Sequence, residues 1–352
     1  MSVKELLSYT THKWKRTVSR KLKQLREQHI LSGSLYDLNY SKLCRNPLHK
    51  VLCIFESNRS LETVISYLKV IGPILWTFPV LSSHKRVLNA GFFSTDDAAL
   101  ASILQILKDN NIVTDYVIRA FCTKRMIENP NLFGDLNPPL DNLLDSCDIP
   151  DMSLAYHDTE WNRCDMSILP HLMKDAKLVE ILRKENDLHE NLTYEKIKYS
   201  RRKMVKNGLI EKKYIFNPLP VDQCVEFQMF LKIEDTALAP QIIYNFARGE
   251  RVFKQYALFE EWGTTDCIWG STSCISHPLF LKDLMHKLDE IDGIGEKEIY
   301  LMRSFPSKRY FYTRPLEFKY FDFEKQTMQY PYHVYEEKIK EKIESEQLIF
   351  SV

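Results

Sequence analysis

TVSRKLKQLREQHILSGSLYDLN at residues 17–39 and KIKYSRRKMVKNGLIEKKYIFNP at residues 196–218 decide how this chain is read. Each is a basic helix, a short turn, an apolar pair and a strand-like stretch. Leu25 aligns with Met204, and Ile30-Leu31 aligns with Leu209-Ile210, an offset close to half of the 352 residues. Identity between the two stretches is low, so the match lies in the pattern. A pattern recurring at a fixed offset is the signature of an internal repeat.

The segments after each basic helix repeat as well. After the first, HKVLCIFES (49–57) is β-branched and aromatic enough for a strand. LETVISYLKVIG (61–72) places Leu61, Val64, Ile65 and Leu68 on one helical face. PILWTFPVLS and RVLNAGFFST read as strands, DDAALASILQILKDNN as a helix with an acidic first turn, and IVTDYVIRAFC as a last strand. The second half gives CVEFQMFLKIE, ALAPQIIYNFARG, RVFKQYALFEEW, TDCIWGSTSCI, HPLFLKDLMHKLDEIDG (closed by Gly293) and EKEIYLMRSF in the same βαββαβ order. That order packs as a four-stranded antiparallel sheet with two helices on one face, the ferredoxin-like arrangement.

The resulting fold class is α+β, with two winged helix-turn-helix domains and two ferredoxin-like βαββαβ domains in tandem. The expected division is a short first winged helix-turn-helix at 1–46, βαββαβ at 47–122, and a Pro/Asn/Asp-rich linker at 123–162. A second winged helix-turn-helix comes next at 163–220, then βαββαβ at 221–305. Residues 306–352 form an aromatic extension, expected to pack against the body and to end in a helix near 335–347. MSILPHLMKDA and KLVEILRKEN supply two helices ahead of the second basic helix, with Pro170 breaking a clean pattern. The first copy has only VKELLSYTT before its basic helix.

Composition sets limits. The net charge is +1, with 44% hydrophobic and 27% charged residues, which is ordinary globular usage and no polycation. Ten glycines, with neither GxGxxG nor GxxxxGK[ST], leave the dinucleotide and Walker readings without their fingerprints. No apolar run reaches the roughly 18 residues of a membrane span, and the N-terminus lacks a signal-peptide core, so a cytoplasmic location is expected. The eight cysteines form no CxxC and have no zinc-ligand spacing. They read as small buried hydrophobes, and neither a metal nor a cofactor is expected.

Charge is concentrated locally. Up to Lys50 there are eleven basic and three acidic side chains. In the second copy Lys196, Lys198, Arg201, Arg202, Lys203 and Lys206 oppose Glu195 alone. Val18, Leu22 and Leu25 should face a core, and Thr17 should cap the first helix, leaving the basic side chains outward. The candidate contacts to double-stranded DNA are Lys13, Lys15, Arg16, Thr17, Ser19, Arg20 and Lys23. Their counterparts on the second helix are Thr193, Lys196, Lys198, Tyr199, Arg201 and Arg202. A charge run seen alone usually solvates a helix face; the same basic helix twice in the same context favours phosphate binding.

Basic helix, apolar pair, wing and βαββαβ, in that order and twice over, resembles the Lrp/AsnC family of bacterial and archaeal transcription regulators. The resemblance covers most of residues 1–122 and 164–305. It implies a sequence-specific DNA-binding regulator that is no enzyme, built as an intrachain pseudo-dimer and able to self-associate through its βαββαβ domains. It also implies an amino-acid effector beside a GxxD turn. Gly263-Thr264-Thr265-Asp266 is similar to that turn, whereas Ser83-His84-Lys85-Arg86 lacks both Gly and Asp. Read as residues alone, the Gly263 segment is a plain β-turn. Two alternatives stand beside the regulator: a protein-interaction module with degenerate winged helices, and an enzyme resembling the siroheme decarboxylases, which use the same fold. Against the latter, the sequence has no GxSxG, no HExxH and no metal-spaced His pair.

Overall fold

The computed structural model describes residues 3–82, 85–138, 140–188, 192–246, 248, 250–264, 268–291, 293–302, 312–314 and 316–350. Helix α1 (Val3–Ser8) leads to the basic helix α2 (Lys15–Glu27) and strand β1 (Leu31–Leu38). The first βαββαβ run is β2 (His49–Ser57), α3 (Leu61–Leu68), β3 (Ile74–Leu81), β4 (Arg86–Ser94), α4 (Asp97–Asp109) and β5 (Asp115–Phe121). A short strand β6 (Met126–Glu128) lies in the connecting stretch. Helices α5 (Arg163–Met173), α6 (Leu178–Leu188) and α7 (Tyr194–Lys206) precede strand β7 (Ile210–Phe216). The second run is β8 (Val225–Ile233), α8 (Ala239–Asn245), β9 (Phe253–Glu261), β10 (Ile268–Ser276), α9 (Pro278–Asp289) and β11 (Ile294–Met302). The chain closes with β12 (Tyr312–Thr313), the hairpin β13 (Phe321–Asp322) and β14 (Thr327–Met328), and α10 (Tyr332–Phe350).

Local chemistry explains several helix starts. Ser60 accepts the Thr63 amide at 3.2 Å and Asp96 accepts the Ala99 amide at 2.9 Å, satisfying donors at the starts of α3 and α4. Asn162 and Asp165 form a reciprocal capping box on α5, and His277 Nδ1 accepts the Leu279 amide on α9. α5 runs through Pro170, which has no N–H to give to the carbonyl four residues back. α9 stops at Asp289, and Gly293, at φ +93°, serves the turn into β11 and not the helix end.

Each βαββαβ run forms an antiparallel ferredoxin-like sheet with its helices on one face, as the order of elements requires. The sequence pattern does not foretell how the two sheets join. β3 pairs with β11 through Leu81↔Leu301 and Val80↔Met302. On the other side β5 pairs with β9 through Arg119↔Glu261 and Phe121↔Phe259. The ring β2-β4-β3-β11-β8-β10-β9-β5 therefore closes on itself, and closure removes open strand edges. Leu52, Ile54, Val80, Val87, Phe230, Ala257, Phe259 and Trp269 fill its interior. Gly91 lets the Trp76 ring lie against the strand; a Cβ there would come within 2.5 Å of the indole.

An ion-paired cluster is built into this interior, alongside the Asn89–Gln228 hydrogen bond at 3.1 Å. Arg119 is 1% exposed and binds Glu298 in bidentate fashion at 2.6 and 2.9 Å and Glu261 at 3.1 Å. Its guanidinium stacks 3.8 Å from the Trp269 ring centroid and 4.6 Å from that of Phe230. Arg119 comes from the first run and both carboxylates from the second, so these ion pairs bridge the two halves.

The helix faces are covered by the segments outside the repeat. Leu140, Leu143 and Met152 of the connecting stretch pack into the second half, and Asn245 donates to the carbonyls of Leu143 and Asp145. The aromatic extension covers the first half: Leu316, Phe321, Met328, Tyr330, Tyr335, Ile339 and Ile343 join its core. Gly72 admits Tyr335 at close range, and the final helix is longer than the 335–347 expected from sequence. No helix among the described residues is long and apolar enough to cross a membrane.

Candidate nucleic-acid interface

The strand after each basic helix pairs with its counterpart 179 residues away in the repeat and not within its own copy. β1 and β7 run antiparallel from Leu31↔Phe216 to Leu38↔Ile210, with an irregularity between Ser32 and Ser34. Two strands paired in this way are related by a local two-fold axis. The helices that feed them, α2 and α7, leave from opposite ends of the ribbon.

Of the three residues expected inward on α2, Val18 is buried, and Leu22 and Leu25 are half-buried. Lys13, Lys15, Arg16, Ser19, Arg20 and Lys23 are exposed, and Thr17 is half-buried. The expectation that Thr17 caps the helix fails: the helix begins at Lys15, and the capping position is Trp14, whose indole makes no capping bond and is 73% exposed. Lys23 pairs with Glu27 at 3.5 Å on the surface, a contact worth little in water. No ion pair engages Lys15, Arg16 or Arg20 among the described residues.

α7 is held more firmly. Thr193 is its cap, its hydroxyl oxygen accepting the Lys196 amide at 3.3 Å. Ile197, Ser200 and Met204 face inward. Lys196, Tyr199 and Arg202 are exposed, Tyr199 at 69%. Lys198 and Arg201 are partly covered, and Lys198 lies 3.5 Å from Glu195. Lys203 belongs to the fold and not to the free face. It donates to Asp165 and to the Glu160 carbonyl, each at 2.7 Å, and lies over the Trp161 ring. Asp165, fully buried, also accepts from Ser200. Nothing in the local sequence marks Lys203 apart from its neighbours; its phase with Ser200 toward the buried side is the one available signal.

The other expected sites fare differently. Gly263, at φ +88°, turns the chain after β9, with Thr264 donating back to the Glu261 carbonyl from both its amide and its hydroxyl. Thr265 and Asp266 lie outside the described residues. Among those described, no group of three or more His, Cys, Asp or Glu side chains could hold a metal. His171 is engaged by Glu185 at 2.7 Å, and His277 by its capping role.

No family model and no curated protein matches this chain. Solved structures do resemble it. A siroheme decarboxylase, NirDL, is 11% identical over 95% of this chain and 90% of its own, with a TM-score of 0.48. The same enzyme in complex with an iron-uroporphyrin III analogue gives 12% identity over 94% and 90%, with a TM-score of 0.49. An anthrone oxidase-like protein is 9% identical over 76% of this chain and 94% of its own, at 0.34. These are likenesses of fold alone. They correct one expectation: the resemblance to the regulators implies no enzyme, whereas the structures that resemble the chain nearly end to end are those of an enzyme.

Proposed function

We propose that the chain binds duplex DNA through α2 and α7, with residues 1–46 and 163–220 acting as two winged helix-turn-helix units. The observation that carries the reading is the antiparallel β1–β7 ribbon, which sets two exposed basic helices about a local two-fold axis. A strand rises about 3.3 Å per residue, so the helix ends feeding the ribbon stand roughly 20–25 Å apart. Paired recognition helices meet successive turns of one DNA face, about 34 Å centre to centre, which helices diverging from such a ribbon can span. The two faces differ in side chains, so the preferred site is asymmetric. The test is titration of random duplex at several salt concentrations, comparing wild type with a variant carrying Arg16→Ala, Arg20→Ala, Arg201→Ala and Arg202→Ala. Affinity should fall steeply with salt, and less steeply in the variant. Absence of binding at low salt would refute the reading.

A second reading is catalysis on a tetrapyrrole, the activity named for the siroheme decarboxylases. The feature of this chain that favours it is a pair of cations, Lys50 on β2 and Arg125 in the connecting stretch, both near Asp37 and suited to a carboxylate-rich molecule. Its test is an absorbance titration with iron uroporphyrin: a saturable shift of the main porphyrin band supports it, and an unchanged spectrum removes it. DNA binding and catalysis are separate measurements, and neither outcome decides the other.

A further inference from the structure

We propose that Tyr40, Lys50 and Arg125 form a binding site for an oxyanion, the carboxylate or phosphate group of a small molecule. The site sits where the β1–β7 ribbon meets the barrel, at the far end of β9 from the Gly263 turn. Tyr40 is 4% exposed, and its hydroxyl is buried with no hydrogen-bond partner. Arg125 gives Nη1 to Gln255 at 2.9 Å and Nη2 to Asp37 at 2.8 Å, while its buried Nε–H has no acceptor. Lys50 lies 5.2 Å from the Tyr40 ring centroid, with no ion pair among the described residues. Two buried donors, the Tyr40 hydroxyl and the Arg125 Nε–H, thus lack an acceptor near the Lys50 ammonium, an arrangement that native interiors avoid unless something fills it.

Charge points the same way. Lys50 and Arg125 face the single carboxylate of Asp37. The remaining ionisable neighbours are Lys124, which is paired with Glu211 at 3.5 Å, and the thiol of Cys122. Burial, and then Arg125, push the Lys50 ammonium down to about 8 against the pull of Asp37. For Asp37, burial raises the carboxyl, but Arg125 and Lys50 outweigh it and hold it below its usual range. Lys50 and Arg125 both keep part of their surface open, which gives a ligand a way in. At the matching position of the second half Glu226 takes the place of Lys50, as second residue of β8 where Lys50 is second in β2, and burial raises its carboxyl. The expected stoichiometry is therefore one site per chain.

The experiment is isothermal titration of the full chain, without DNA, with succinate and separately with inorganic phosphate, at constant ionic strength against a chloride control. We expect saturable binding at one site per chain at pH 7. Succinate affinity should fall about tenfold or more at pH 9.5, where the Lys50 charge is largely lost. Lys50→Gln should lose at least tenfold, and Tyr40→Phe, which keeps the ring and removes only the hydroxyl, should weaken binding without unfolding the chain. A preference for succinate or for phosphate tells the carboxylate source from the phosphate source. No saturable heat with either anion, or binding unchanged in both variants, would overturn the proposal and leave the donors to water. Because no DNA is present, the result stands whether or not the basic helices bind duplex.

Discussion

The two basic helices have similar sequences and different anchorage. α7 sits in a three-helix unit whose Trp161, Met166, Ile168, Leu169, Ile197 and Met204 are continuous with the main core. Buried Asp165 binds Lys203 and Ser200 beneath it. α2 packs against the short α1 and β1, and Val18 is its one buried residue. Its connection to the body is the ribbon, where Leu31 is buried, and the residues after it. The same surface chemistry is therefore mounted on a rigid support in one copy and on a light one in the other. Repeats that keep a face need not keep the core behind it.

The contrast makes its largest prediction at Asp165. Asp165→Ala leaves Lys203 without its carboxylate and the start of α5 without its capping box, and should cost about 3–5 kcal/mol in urea unfolding. Val18→Ala, the deepest change available on α2, should cost about 2 kcal/mol, with the loss confined to that unit. Equal costs would mean that the two supports do not differ.

Amide hydrogen exchange sharpens the comparison. α7 should exchange with protection close to that of the global core, and α2 should exchange through local opening at least about tenfold faster, since few buried contacts hold it. Matching protection along both helices would contradict the difference in anchorage.

A smaller effect separates the halves by pH. Lys254, 1% exposed, donates to the carbonyls at the end of α8, and burial pushes its ammonium down to about 8. Its folded pKa lies below its unfolded value, so between the two the unfolded chain binds more protons and stability rises with pH. From pH 8 to 9.5 wild type should gain about 1–2 kcal/mol relative to Lys254→Met. Denaturation at both pH values checks it, and a difference that stays flat would show that Lys254 titrates normally.

Much of this organisation is legible in the sequence, because it rests on local periodicity. The βαββαβ order, the inward Val18 and the packed aromatic tail all come from spacing and composition. The features that are not legible depend on partners distant in the chain. Closure of the barrel needs β5 to meet β9 and β3 to meet β11, and no single strand encodes its edge partner. The β1–β7 ribbon is hidden for the same reason, since each strand alone reads as a wing of its own copy. The Lys50 patch leaves one trace. In HKVLCIFES, Lys50 falls in phase with Leu52 and Ile54, an inward position for a charge, yet its companions Tyr40 and Arg125 come from other segments. The exclusion of enzyme activity rests on missing short motifs, and motifs of that kind do not report on a site assembled from distant residues.

The most direct test of the account measures duplex affinity against salt for wild type, for Arg16→Ala with Arg20→Ala, and for Arg201→Ala with Arg202→Ala. If both helices contact one duplex, each pair of substitutions should lower the slope of log affinity against log salt by up to about 1.8, roughly 0.9 for each phosphate no longer neutralised. A slope that neither pair changes would contradict the central claim that the ribbon presents two working DNA-binding faces.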